Sequence, residues 1–235
     1  KVESLGSSLI FDALVQGRID CYVEYTGTLW TSGLKRSGGA PDWQVLAEVA
    51  GWLAREHGIR CLGKLGFENA YALAMPHAKA KAWGIESIAD LGRTGRAWTA
   101  GGDYEFFGRG EWAALRSLYA LRPSRTTSFD PTFLYEAAAR GEVDVISSYS
   151  SDGRILAFGL TVLADPRHAV PPYDAVILIR RGADQAAWIP ALERLVGSLD
   201  LATMQEFNGL VDREQGKVSV SDAARRLWKK LQSSK

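Results

Sequence analysis

Residues 9–26 read LIFDALVQGRIDCYVEYT, and residues 133–150 read FLYEAAARGEVDVISSYS. The two stretches align without a gap, 124 residues apart, so that Ala13, Gly17, Asp20 and Tyr25 recur as Ala137, Gly141, Asp144 and Tyr149. Phe11/Tyr135, Asp12/Glu136, Ile19/Val143 and Thr26/Ser150 are chemically close pairs. A match of this extent reads as one supersecondary unit used twice; the alternative is two unrelated helix–strand units that look alike. Each copy is an amphipathic helix ending at a glycine, which takes the left-handed C′ position at little steric cost. A β-branched residue and an aspartate then open a short apolar strand with a tyrosine near its carboxyl end. Ligands of open α/β sheets collect at the carboxyl ends of strands. The repeat therefore predicts two α/β lobes presenting Tyr25 and Tyr149 at equivalent sheet edges.

The surrounding chain agrees with this frame. Helical spacing of apolar residues occupies roughly 42–57, 110–121, 132–140, 184–197, 200–211 and 221–232. Strand-like runs fall near 19–25, 60–74, 143–149 and 174–180. The segment Leu65 to Met75 runs extended to Pro76, and Pro171 and Pro172 precede the apolar run AVILI. Prolines restrict the chain to extended connections, so crossings between lobes are expected near 71–76 and 169–174. Residues 1–72 and 172–235 then form lobe one, and residues 73–171 form lobe two.

Composition narrows the function classes. With 46% hydrophobic and 23% charged residues the chain is an ordinary globular one. Its 28 Lys and Arg against 27 Asp and Glu are scattered, which leaves no electrostatic footprint for nucleic acid. The one basic cluster, Arg225, Arg226, Lys229 and Lys230, reads as the wet face of a terminal helix that buries Ala224, Leu227, Trp228 and Leu231. No apolar run approaches the roughly 20 residues needed to span a bilayer. The chain opens at Lys1 and not at a Met, which fits a processed or trimmed protein. Cys21 and Cys61 can pair or stay buried; free thiols are expected, since Cys packs as a small hydrophobe.

Enzyme, metal and cofactor signatures are wanting. GIRCLGK, residues 58–64, resembles a phosphate-binding loop, but Leu65 stands where Ser or Thr should hold magnesium, and a helix precedes it where a strand is required. His57, His77 and His168 lack metal-ligand spacing. No nucleophile elbow or zinc-binding helix motif occurs. No catalytic residue, metal or cofactor is therefore expected.

The aromatics at strand ends are more distinctive. Tyr25, Tyr71, Tyr149 and Tyr173 each lie at a strand terminus or a proposed crossing. Facing rings form a cage whose negative faces attract a cation without hydrogen bonds, as suits a quaternary ammonium. For any one of them the alternative is a packed ring with its hydroxyl in water. Arg109, in DYEFFGRGEW, follows a loop that opens a helix. It can grip a ligand carboxylate with two N–H groups, or form a surface salt bridge.

At these residues the chain resembles the substrate-binding proteins of ABC importers for glycine betaine, choline, carnitine and related osmoprotectants. The family's stretch Gly-x-Ile-Asp-x-Tyr-x-Glu-Tyr-Thr-Gly-Thr reads GRIDCYVEYTGT here, Gly17 to Thr28, with Val23 where Pro is frequent. Its Asn-x-Tyr-Ala-Leu crossing reads NAYAL, Asn69 to Leu73, and its later motif reads GEVDVISSYSSDGRI; the Pro-Pro-Tyr crossing falls at Pro171 to Tyr173. The similarity runs from Ser4 to about residue 180. It implies a two-lobed, hinged periplasmic-binding-protein fold of type II. It also implies Tyr25, Tyr71, Tyr149 and Tyr173 around an ammonium head, with Thr28 as a polar contact and Arg109 on the ligand's carboxylate. Asn69 sits where some members place Asp, which leaves betaine-like against choline-like preference open. Members normally begin with a strand and a helix ahead of the stretch that opens here at Lys1. The resemblance thus implies a first lobe wanting a central strand.

The function so implied is non-catalytic capture of a quaternary amine for a membrane permease and its ATPase. An extracytoplasmic location is implied too, periplasmic or cell-surface, with a tether to the membrane or fusion to a permease as further options. A sensory domain of the same fold, coupled to a regulator or receptor, is the alternative, because fold does not fix function. A cleft enzyme would need an activated nucleophile or a supported base, and the sequence offers none.

Overall fold

The computed structural model describes residues 7–36, 38–183, 186–213 and 215–233. Among them are eight strands: β1 (Cys21–Tyr25), β2 (Arg60–Glu68), β3 (Tyr71–Pro76), β4 (Thr99–Gly102), β5 (Arg125–Ser128), β6 (Val145–Tyr149), β7 (Leu160–Val162) and β8 (Asp174–Ile179). The chain divides into two compact units, Lys1–Asn69 with Pro171–Leu201, and Ala70–Val170 with Ala202–Lys235. Each has its own sheet, as the repeat predicts.

The first unit holds a sheet ordered β1-β8-β2, with β8 antiparallel to both neighbours. The run AVILI makes β8 the centre: Ala175 to Ile179 are all buried, as a strand covered on both faces requires. Val176 and Leu178 join Leu14, Leu29, Trp30, Val45, Val49, Leu53 and Ile59 in the unit's core. Cys21 and Cys61 are free. Cys21 lies opposite Ile179 and Cys61 opposite Leu178, on either side of β8. Two strand spacings put them about 9–10 Å apart, beyond disulfide reach.

The second unit holds a sheet ordered β5-β4-β6-β3-β7, in which β4 runs parallel to β5 and β6, and β3 antiparallel to β6 and β7. Its core gathers Ala74, Leu134, Tyr135, Ala137, Ala138, Val143, Ile146, Ile155 and Leu160. The strands TAGG, RTTS and LTV were beyond periodicity, being three or four residues long and rich in glycine or threonine.

The repeat is reproduced in the backbone. Helix Ser7–Val15 matches helix Pro131–Ala139, and β1 matches β6, each at the same spacing of 124. The helix ends match bond for bond. Gly17 N donates to Leu14 O and Arg18 N to Ala13 O, while Gly141 N donates to Ala138 O and Glu142 N to Ala137 O. Both glycines take positive φ, +70° and +77°, which closes a Schellman turn that a β-carbon would disfavour.

The repeated aspartates anchor each strand start. Asp20 accepts from Arg180 Nε at 2.7 Å. Asp144 accepts from Lys79 Nζ at 2.6 Å, from Thr99 N at 2.7 Å and from Thr99 Oγ1 at 2.9 Å. Burial opposes ionisation of Asp144, but the Lys79 ammonium and the Thr99 donors outweigh it and hold the carboxyl below its ordinary value. A depressed carboxyl stabilises the fold above the unfolded pKa, and that contribution is lost as pH falls through the folded value. Asp144→Asn is therefore expected to cost about 2 kcal/mol at neutral pH, measured by urea unfolding. The gap to the parent protein should narrow in acid; an equal gap at both pH values would refute the ionic role.

Three expectations need correction. The division into 1–72 with 172–235 and 73–171 differs at its end, because Ala202–Lys235 packs on the second unit. Gln205 Nε2 donates to Ser150 O at 2.7 Å and Asn208 Nδ2 to Ser151 O at 2.9 Å, while Lys230 pairs with Glu206 at 2.6 Å. The apolar stripe of a helix states that it packs, not on which unit. Second, the chain changes unit at Asn69–Ala70, so Tyr71 stands in the second unit and not the first. The extended run 60–74 breaks there because Asn69 N bonds Tyr173 O while Ala70 N bonds Ser150 Oγ. Third, among the described residues the pattern at 184–197 yields only a short helix, Ile189–Glu193, with Pro190 at its start. The expected want of a strand and helix ahead of Lys1 concerns chain outside the described residues. Among the described residues β1 pairs with β8 alone, whereas β6 is paired on both sides.

Candidate functional site

The aromatic residues predicted at strand ends form two groups, one in each unit. In the second unit Tyr71 opens β3 and Tyr149 closes β6, directly opposite each other in register. Cross-strand side chains at such a pair stand close enough to touch. Their ring centroids are 4.7 Å apart at an interplanar angle of 42°, and Tyr149 Oη donates to Tyr71 Oη at 2.7 Å. Burial, and next the bond to Tyr149, raise the Tyr71 hydroxyl well above its ordinary value, so it stays protonated. Tyr149 is 39% exposed, leaving ring surface open to a ligand.

Behind the pair lies an aromatic wall that sequence reasoning missed. Phe106 is buried and stacks on Tyr71 at 6.0 Å, with Phe107 and Trp112 packed on it at 5.5 Å. The turn after β4 puts it there, because Asp103 Oδ1 accepts the amides of Glu105 at 2.9 Å and Phe106 at 2.8 Å. A β-carbon at Gly102 would sit 3.0 Å from both phenylalanine rings. The signal available in the sequence was Gly-Asp followed by two aromatics, a turn chemistry.

Arg109 stands at the residue before helix Gly110–Tyr119, with no side-chain bond to the helix end, and its guanidinium lies 4.8 Å from the centroid of the Tyr71 ring. Its N–H groups point to Glu111 at 3.3 Å and to Glu105 at 3.4 Å. The hydrogen bond to Glu111 keeps it firmly charged. Beyond the tyrosines, Arg154 fixes the turn after β6. It bonds Asp152 Oδ2 at 2.7 Å and Pro131 O at 2.7 Å, and lies 4.1 Å over the Tyr135 ring. Tyr135 Oη in turn donates to Asp152 at 2.8 Å.

In the first unit Tyr25 ends β1 and leads into the short helix Thr26–Thr28. Thr26 Oγ1 donates to Pro172 O and accepts from Asp174 N, both at 3.0 Å, which ties this end to the return crossing. Asn69 N donates to Tyr173 O at 3.0 Å. The Tyr173 ring lies flat on Gly27, where a β-carbon would fall 2.6–2.7 Å from it. The glycine of EYTGT is thus the seat of Tyr173. The Thr28 carbonyl accepts from Thr31 Oγ1 at 3.3 Å. Glu24, beside Tyr25 in β1, is only 3% exposed. Its carboxyl accepts from Tyr25 N at 2.7 Å and from Tyr22 Oη at 3.1 Å. Burial raises its pKa against those two bonds.

The structure thus brings Tyr71, Tyr149 and Arg109 together in one unit, and Tyr25, Thr28, Asn69 and Tyr173 into the other. Among the described residues no three His, Cys, Asp or Glu are grouped to hold a metal, and no helix is long and apolar enough to cross a membrane.

Comparison with known proteins adds the following. The family described as the substrate-binding domain of ABC-type glycine betaine transport systems matches residues 1–230. The chain is 27% identical over 228 residues to the ergothioneine transport permease/ergothioneine binding protein EgtU of Helicobacter pylori, covering 94% of this chain and 41% of that protein. It is 30% identical over 228 residues to a glycine-betaine-binding protein of Pseudomonas aeruginosa, covering 90% of this chain and 72% of that one. A crystal structure of a glycine betaine/carnitine/choline ABC transporter superposes with a TM-score of 0.88 at 27% identity, covering 97% of this chain and 85% of that one.

Proposed function

The chain belongs to the substrate-binding domains of ABC-type glycine betaine transport systems, a family of binding domains and not of enzymes, and from that premise we propose that it captures a quaternary-ammonium solute outside the cytoplasm for import. A permease and an ATPase are its partners in this reading. The observation that carries it is the Tyr71–Tyr149 pair, two rings 4.7 Å apart with Tyr149 partly open to solvent. A quaternary ammonium has no N–H to donate, and its charge is best met by ring faces. Tyr25, Thr28, Asn69 and Tyr173 are the proposed contacts of the first unit. Arg109 enters as the guanidinium resting on Tyr71, its N–H groups already directed at glutamates.

Ligand that binds only the folded protein stabilises it by about 2.7 kcal/mol at a hundredfold excess over Kd. A thermal-shift series with glycine betaine, choline, carnitine and ergothioneine is therefore expected to show at least one clear rise in Tm. No rise with any quaternary amine at millimolar concentration would overturn the reading.

A further inference from the structure

Carboxyl groups are seldom buried without a cation beside them, and in the first unit Glu24 is buried so. Both of its bonds come from neutral donors, the Tyr25 amide and the Tyr22 hydroxyl. Opposite it on β8 stands Val176, part of the apolar core that Leu14, Val45 and Val49 complete from the helices packed on that face. The Lys64 ammonium, from β2 on the far side of Val176, is taken by Asp42 at 2.7 Å and Asp174 at 2.9 Å. The repeat shows that the strand itself does not require an acid here. Position 24 has its twin at 148, a buried serine whose Oγ has no hydrogen-bond partner, and buried Ile146 stands at the place of Tyr22. The same helix–strand unit thus folds with a neutral residue at this depth, and the acid and its hydroxyl donor belong to the first unit alone.

We propose that Glu24 is the counter-charge for the cationic head of the captured solute, so that the first unit selects its ligand by charge as well as by ring faces. The inference rests on the capture of a quaternary amine proposed above and assigns the residue that meets its charge. Tyr25, the next residue in the strand, is a proposed contact of that head, and a carboxylate shielded from water attracts a cation more strongly than one in solvent. Burial, and next the Glu24 charge, raise the Tyr25 hydroxyl, so the field of the carboxylate reaches that side chain. Burial also raises Glu24 itself, against the bonds from Tyr25 and Tyr22. A bound cation opposes that rise. Capture in mild acid therefore releases a proton from Glu24 to the buffer, and affinity for a cation falls as pH drops through the raised value.

Titration calorimetry with tetramethylammonium, a cation with no titrating group of its own, tests this. The parent protein is expected to lose about fivefold in affinity between about pH 8 and about pH 5. Two buffers of different ionisation heat should show protons released on binding. Glu24→Gln keeps an acceptor for the Tyr25 amide and a partner for Tyr22, and removes only the charge. It should weaken tetramethylammonium about tenfold near neutral pH and flatten the pH profile. If Glu24→Gln does not fold, proton release by the parent protein decides alone. A variant that binds as tightly as the parent or keeps its pH profile, or a parent that binds without releasing protons, would overturn the counter-charge and leave the capture reading standing. Binding of neither tetramethylammonium nor glycine betaine by the parent protein would overturn both.

Discussion

Gly153→Ala is expected to destabilise the protein by about 3 kcal/mol, the combined cost of overpacking and of buried hydrogen bonds pulled apart. The backbone of Gly153 is helical, with φ −64° and ψ −21°, so alanine suffers no conformational strain there. The obstacle is steric. An added β-carbon would lie 2.3 Å from the amide nitrogen of Gly209, 2.4 Å from its Cα and 2.8 Å from the Gln205 carbonyl. Real β-carbons do not approach backbone so closely, and backbone cannot rotate aside as a side chain would. Helix Leu201–Asp212 must then lift, stretching the bonds from Gln205 to Ser150 and from Asn208 to Ser151. Gln205 is buried, so its amide would lose its partner without gaining water. Urea unfolding at constant m-value reads the loss. A change below about 1 kcal/mol would show that the helix yields cheaply and that the close approach does not hold the unit together.

The second large effect is on binding. Tyr149→Ala is expected to weaken a quaternary-ammonium ligand about tenfold, one ring face being worth on the order of 1–2 kcal/mol to a desolvated cation. Tyr71→Ala should cost at least as much, because the Arg109 guanidinium and the Phe106 ring both rest on Tyr71 and lose their support with it. The phenylalanine variants keep the ring faces. Each loses only the bond from the Tyr149 hydroxyl to that of Tyr71, and the pair is open enough at Tyr149 for water to meet the hydroxyl that remains. Tyr149→Phe is accordingly expected to stay within about threefold of the parent protein. If phenylalanine costs as much as alanine, the hydroxyls and not the ring faces hold the ligand, and a quaternary ammonium is the wrong solute.

Much of this was legible in the residues because the repeat carries its own proof. Gly17 and Gly141, Asp20 and Asp144, and Tyr25 and Tyr149 stand at matching places in two sheets, as an 18-residue alignment foretold. The strand order of the second sheet was not legible. TAGG and RTTS pair in parallel through their backbones, with side chains too small or polar to leave a pattern. Nor was the allegiance of helix Leu201–Asp212, since it is decided by Gly153 and Gly209 meeting across 56 residues of sequence, a contact with no local signature. At the site, tyrosines at strand ends were readable from the two-residue period of β-strands. Phe106 and the orphaned Ser148 were not, because the one depends on an aspartate turn and the other on what its neighbours fail to offer.

The coincidence of the two helix–strand units gives each position from 7 to 25 a twin in the same molecule. Asp20 and Asp144 occupy matching backbone, yet their surroundings differ. The Asp20 side chain is 58% exposed beside Arg180, and that of Asp144 is 18% exposed beside Lys79. Asparagine at both places asks one question of two environments, with solvent, temperature and chain held constant. The exposed twin should cost well under 1 kcal/mol, as surface ion pairs do, and the sheltered one several times more. The difference between the twins isolates what shielding from water adds to an aspartate at the head of a strand, a quantity that ordinarily requires comparing two unrelated proteins.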